Sequence, residues 1–248
     1  MRKLLLLAIF TFNTAYADTI GGEVSMGLFN HSPSGHASYS LPLHNIGTEA
    51  DLEESFGFSD EQDIFFKAYF EHPFPGLPNL KLGYVTLSHT GNKDVTLFSW
   101  GDIANVTGEI ANKLELDFLD ATLYYELLDN WTEVDIGLTF RYMNGDMSVS
   151  ANTLSDALNF STLTPLIYGK FRFNVPSTDF SVQLEANGIS YSGFSSYDYE
   201  LSARYTFTMG LGIEAGYKTF HLDSDDLVRN LDANIDFSGL YAAAVWNF

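Results

Sequence analysis

Leu240-Tyr241-Ala242-Ala243-Ala244-Val245-Trp246-Asn247-Phe248 closes the chain as a strand of period two that stops on an aromatic residue. One face reads Leu240, Ala242, Ala244, Trp246, Phe248, without a polar group. Such a segment suits a sheet with apolar surroundings on its outer side. At the other end, Arg2 and Lys3 precede an apolar run over residues 4–10 and an Ala15-Tyr16-Ala17 site of small-x-small form. This three-part pattern is that of an export signal. Cleavage after Ala17 is expected, which divides the chain into a signal peptide, 1–17, and one domain, 18–248. The apolar run is too short for a membrane-anchoring helix, which needs about 17 to 25 residues.

A chain that enters a bilayer must satisfy every backbone polar group internally, so it is helical or a closed barrel. No later segment has the length of a spanning helix, and the composition favours strands: 21 Phe and 14 Tyr, with 46% of residues hydrophobic. Cysteine is absent, which excludes disulfide staples and a thioether lipid anchor. Loss of Arg2 and Lys3 moves the formal charge from −20 to −22. That charge disfavours nucleic acid as a partner.

Ten segments of alternating hydrophobicity follow, over residues 21–29, 63–71, 80–89, 118–127, 131–142, 161–173, 180–191, 197–207, 211–222 and 236–248. Short turns and long polar loops are expected to alternate between them, with long loops over residues 30–62 and through Trp100 and Asn105. Pro165 suggests a bulge. One parity of each segment is free of charge: Met26 and Leu28, Ile64 and Phe66, Leu119 to Leu127, Ile136 to Phe140, Leu201 to Phe207 are examples. The other parity carries Lys67, Glu126, Glu133, Asp135, Arg141, Glu185, Glu200, Arg204, Glu214 and Lys218. These are the candidate lumen-lining residues. Trp131, Phe173, Phe180, Phe207 and Phe248 fall beside short turns, as an interfacial girdle requires. The expectation is an all-β, transmembrane, antiparallel up-and-down barrel of about ten strands, with eight as the alternative. Its address is the outer membrane of a Gram-negative cell, and its state a monomer.

The runs Asp18-Thr19-Ile20-Gly21-Gly22-Glu23-Val24, Asn30-His31-Ser32-Pro33-Ser34-Gly35 and Ala121-Thr122-Leu123-Tyr124-Tyr125-Glu126, with terminal Phe248, resemble a proteobacterial family of outer-membrane β-barrels marked by a Gly-Gly pair near the mature N-terminus. The resemblance spans nearly all of 18–248. It implies fold and location and no activity. The terminal Phe resembles the signal read by the barrel-assembly machinery, which implies handling by that complex and by periplasmic chaperones, with membrane lipid and lipopolysaccharide as surroundings.

Chemistry is sparsely encoded. Barrels near eight strands fill their interiors with side chains, whereas open channels need about sixteen. The inward charges are therefore expected to form a packed salt-bridge network, with narrow solute passage as the other reading. A barrel-embedded hydrolase using rim residues is the alternative: Ser88-His89 and His221 with Asp223 supply candidates. No Gly-x-Ser-x-Gly elbow is present. Asp223-Ser224-Asp225-Asp226 begins like a calcium loop, but Val228 stands where that loop needs glycine. The expectation is a structural, surface-interaction or solute-passage role, with no enzyme activity, catalytic residue, cofactor or metal.

Overall fold

The computed structural model describes residues 20–40, 47–74, 76–225, 227 and 230–248. The expected signal peptide and its cleavage site lie outside these residues. Strands β1 (Gly21–Tyr39), β2 (Ala50–Asp51), β3 (Glu61–Glu71), β4 (Asn79–Trp100), β5 (Ile103–Asp129), β6 (Thr132–Ala151), β7 (Leu154–Asn174), β8 (Phe180–Tyr191), β9 (Phe194–Thr206), β10 (Leu211–Ser224) and β11 (Leu231–Asn247) form one antiparallel meander. Pairing of β11 with β1, from Glu23↔Asn247 to Tyr39↔Leu231, closes it into a barrel. Strand β2 is a two-residue rung on β1 inside the first loop, so ten strands make the wall.

The expected Gly-Gly pair and terminal Phe meet at this seam. Gly22 N–H donates to Phe248 O at 3.0 Å and Phe248 N–H to Gly22 O at 2.9 Å. A Cβ on Gly22 would lie 2.7 Å from Phe248 Cζ and 3.0 Å from Tyr69 O. Only glycine lets the terminal ring lie over the seam. On the same rim, Trp131 meets Phe173 edge-on at 5.5 Å and Phe180 meets Tyr205 at 5.3 Å.

Outside the wall, Met26, Leu28, Phe66, Leu119, Leu138, Ile167, Leu201 and Ile213 are all exposed, as are Leu240 and Trp246. This continuous apolar belt has no charged member, and lipid is the surrounding that leaves it without penalty. The expected parity holds on every strand of the belt save at one point. A bulge between Glu126 and Leu128 shifts the β5–β6 register and exposes Leu128, correcting the placement of Leu127 on the outer face.

Away from the short turns, the strands run well beyond the belt. The long loops expected between segments three and four and between five and six are strand instead, ending in the tight turns Gly101-Asp102 and Asn152-Thr153. The β8–β9 connection is likewise a tight turn, Ser192-Gly193. Pro165 causes no bulge: Phe140↔Pro165 sits in unbroken β6–β7 register. Its missing N–H is tolerated because β7 pairs with β8 only from Ile167 onward.

The cause is an inversion of hydrophobic phase. On β6 the outward residues run Ile136, Leu138, Phe140, Tyr142, then Asn144, Asp146, Ser148, Ser150. The inward residues run Asp135, Thr139, Arg141, then Met143, Met147, Val149. Strand β5 inverts between Leu119 and Asp117, and β1 beyond Leu28. Within the belt the outside is lipid and polar groups turn inward. Beyond it the outside is water, and the ordinary burial of apolar groups returns.

Candidate functional site

Inside the belt, cations and carboxylates from non-adjacent strands meet across the lumen. Arg204 of β9 donates to Glu23 of β1 at 2.5 and 2.7 Å, and to Glu214 of β10 at 2.6 and 2.9 Å. Arg172 of β7 reaches Glu23 and Glu133, each at 3.2 Å. Arg141 of β6 grips Asp120 in bidentate fashion at 2.6 and 2.8 Å and pairs with Asp198 of β9 at 2.6 Å. Lys67 pairs with Glu200, which also holds Lys218 at 3.0 Å. Lys81 pairs with Glu185, and Lys170 with Asp135 at 2.5 Å.

Tyrosines complete this network. Tyr69 donates to Glu185 Oε2 at 2.6 Å and Tyr241 to Glu214 Oε1 at 2.7 Å. Tyr69, Tyr124 and Tyr168 form a buried ring cluster beneath Lys81 and Lys170. Buried charge is tolerable only when paired and hydrogen-bonded, and here each cation reaches a carboxylate. Of the ten expected lumen residues, the structure brings Lys67, Glu133, Asp135, Arg141, Glu185, Glu200, Arg204, Glu214 and Lys218 into these pairs. Glu126 stands apart at the short-turn mouth, where Glu71, Glu126, Glu133 and Asp135 surround a cavity of about 250 Å³. Tyr69, Tyr124, Tyr168, Tyr241 and Asp198 join the network without being among the candidate lumen residues, although all lie on inward parity. A count of hydroxyls as well as charges on that parity finds the tyrosines.

Above the network the lumen is filled by an apolar cap. Phe29, Phe56, Trp100, Ile110, Phe118, Val149 and Phe237 are among its fully buried members. The first loop contributes Leu52, Phe56 and Phe58, and Asn112 Nδ2 fixes Phe56 O at 2.8 Å. The strand tips converge over it: Ser40 bridges Gly101, and Asp102 N–H donates to Asp156 Oδ2 at 2.8 Å. Between network and cap remains a void of about 40 Å³ bounded by Phe29, Lys67, Arg141 and Phe220, room for a few waters.

The rim candidates for hydrolysis are not brought together. His89 is buried in the cap, where its Nδ1 bonds Ser59 O at 3.0 Å and its ring lies 4.8 Å from that of His31. Burial among these rings, with His31 beside it, lowers its pKa to about 4. Its strand stands clear of the belt here, because the last lipid-facing residue of β4 is Tyr84. Ser88 gives only its backbone N–H, to Asp63. His221 pairs with Asp236 at 2.8 Å, and Tyr197 stacks on its ring at 4.5 Å. Ser34 lies across from Asp236, not from His221. The row therefore reads serine, aspartate, histidine, with the acid between the other two, whereas nucleophilic catalysis needs the imidazole in the middle. Among the described residues no group of three or more His, Asp or Glu side chains is arranged to hold a metal ion.

No family model matches the chain, and no curated protein matches it. Solved structures of similar shape include Ail of Yersinia pestis, at 9% identity over 93% of this chain and 99% of that one, with a TM-score of 0.40. The transport unit of the Escherichia coli autotransporter AIDA-I gives 12% over 98% and 92%, TM-score 0.41. The translocator domain of NalP from Neisseria meningitidis gives 9% over 90% and 88%, TM-score 0.35.

Proposed function

We propose that the protein is a monomeric outer-membrane barrel with a sealed interior, and that it acts through its outer surface. One observation carries this: the lumen is closed twice, by cross-barrel ion pairs within the belt and by an apolar cap above it. Solute passage would require both layers to part. Catalysis at the rim is disfavoured by the order of Ser34, Asp236 and His221. Membership of the Gly-Gly barrel family, delivery by a cleaved signal, and insertion by the assembly machinery read from Phe248 belong to the same proposal. The packing of Phe248 over Gly22 gives that pair a physical role. Lipid surrounds the belt, and lipopolysaccharide faces the acidic residues above it, such as Asp117 and Asp236.

The short-turn rim then faces the periplasm and the long strands rise from the cell. Because the chain has no cysteine, single thiols report this directly. Thr153→Cys is expected to react with a membrane-impermeant maleimide on intact cells, and Ser177→Cys only after the outer membrane is permeabilised. The reverse pattern contradicts the proposed orientation. Uptake of small sugars into vesicles holding the barrel is expected at the protein-free rate, and faster swelling contradicts the sealed interior.

A further inference from the structure

Beyond the belt the wall splits at two places. Pairing of β3 with β4 stops at Phe65↔Val85, and pairing of β7 with β8 at Ile167↔Gly188. The upper strands thus form one sheet from β4 to β7 and another that runs from β8 through β9, β10 and β11 to β1 and β3, with a gap at each side. The chain fills the first gap itself. Thr48 exchanges bonds with Ser99 on the edge of β4, N–H to Ser99 O at 3.0 Å and Oγ1 from Ser99 N–H at 2.9 Å. From there the segment puts Leu52, Phe56 and Phe58 into the cap. A segment that bonds a free edge and sinks apolar side chains is how this fold covers such an opening.

The second gap has no such filling among the described residues. No backbone partner is found there for the outer edge of β7 over residues 154–166, a length of about 40 Å at the usual strand rise. Natural sheets cover or blunt a long edge because its unpaired groups are a template for another chain. Here Pro165 blunts only the base. Beside the edge is a cavity of about 330 Å³, lined by Thr162, Thr164, Tyr191, Phe194, Asp225 and Leu227. Leu227 also bounds a small apolar void in the cap, so the cavity abuts the core as the first gap does. Asp225 stands on its rim, in a chain of net charge −20.

We propose that residues 154–166 of β7 receive an extended, cationic peptide segment of another protein as an added strand, with one apolar side chain seated in the gap against Leu227 and Phe194. Main-chain pairing supplies affinity in this mode, and the pocket supplies selectivity. A second copy in the same membrane does not fit. A rotation axis along the membrane normal sets its β7 pointing the same way and leaning oppositely, so the two edges cross rather than pair.

The probe is a synthetic twelve-residue peptide of alternating Lys and Val with one central Phe, added to the full barrel in detergent micelles. Its control is the same peptide N-methylated on every amide. Hydrogen exchange in the free barrel is expected to show alternate amides of 154–166 exchanging far faster than those of residues 143–151. The peptide is expected to protect them, and the methylated control to leave them unprotected. Thr162→Trp, which fills the gap, is expected to weaken binding at least tenfold. Uniform protection of 154–166 before any addition overturns the proposal, as does equal action of the methylated peptide. If a fluorescent sixteen-carbon fatty acid protects these amides and the peptide does not, the gap is a lipid site and the proposal falls. The exchange pattern of the unmodified barrel decides the matter even where Thr162→Trp fails to fold.

Discussion

Replacing Arg204 with Met removes the cation that joins β9, β10 and β1. Its side chain is 6% exposed, and its guanidinium makes four hydrogen bonds to Glu23 and Glu214. After the change Glu23 keeps Arg172 at 3.2 Å and the mouth cavity beside it. Glu214 keeps only the Tyr241 hydroxyl at 2.7 Å among its described side-chain partners. One buried carboxylate is therefore left without a cation, a loss of about 3 to 5 kcal/mol, or roughly two to four decades in the folding equilibrium. With a urea dependence of about 3 kcal/mol per M for a chain of this size, the midpoint falls by about 1 to 1.7 M. Urea unfolding in lipid vesicles, followed by Trp fluorescence and by heat-modifiable migration, reads this shift. Adding Glu214→Gln is expected to recover most of it, because the amide still accepts from Tyr241 and carries no charge. A loss under about 1 kcal/mol for Arg204→Met, the size of an exposed ion pair, would refute the buried network, as would failure of Glu214→Gln to recover stability.

The phase inversion is checked by two outward positions on one strand: Leu138→Arg is expected to cost about 2 to 4 kcal/mol and Ser148→Arg almost nothing, measured by folding yield into vesicles. At the seam, Gly22→Val is expected to slow closure and reduce the heat-modifiable form, with Phe248→Ala partly restoring it. His89 is held neutral, with its pKa moved from 6.5 to about 4. The unfolded chain takes up a proton as pH falls through 6.5 and the folded chain does not until about 4. The stability of the cap is thus complete above pH 6.5 and declines between 6.5 and 4. Hydrogen exchange at Leu52 to Ser59 across that range reads it, and His89→Phe is expected to reduce the dependence, with His31, whose pKa burial also lowers, carrying the remainder.

Within the belt the sequence was legible because a single rule holds along each strand: Ile136, Leu138 and Phe140 face lipid while Asp135 and Arg141 face the lumen. On one parity the alternation ends where that rule inverts, so Met143, Met147 and Val149 carry no strand signal on that parity. Read with the parity exchanged, Asn144-Gly145-Asp146-Met147-Ser148-Val149 continues the same alternation. The pairings across the lumen were not legible. Glu23 and Arg204 are far apart in sequence and on non-adjacent strands, so shear and closure decide their meeting rather than local spacing. The same holds for the first loop, whose Leu52, Phe56 and Phe58 sit among Asp and Glu residues that suggest a solvated segment, yet pack into the cap.

Planar-bilayer conductance of the full barrel tests the sealed lumen most directly. Correctly folded, heat-modifiable protein is expected to insert without stepwise conductance. Reproducible steps at ordinary salt and voltage, altered by Arg204→Met, would contradict the sealed lumen.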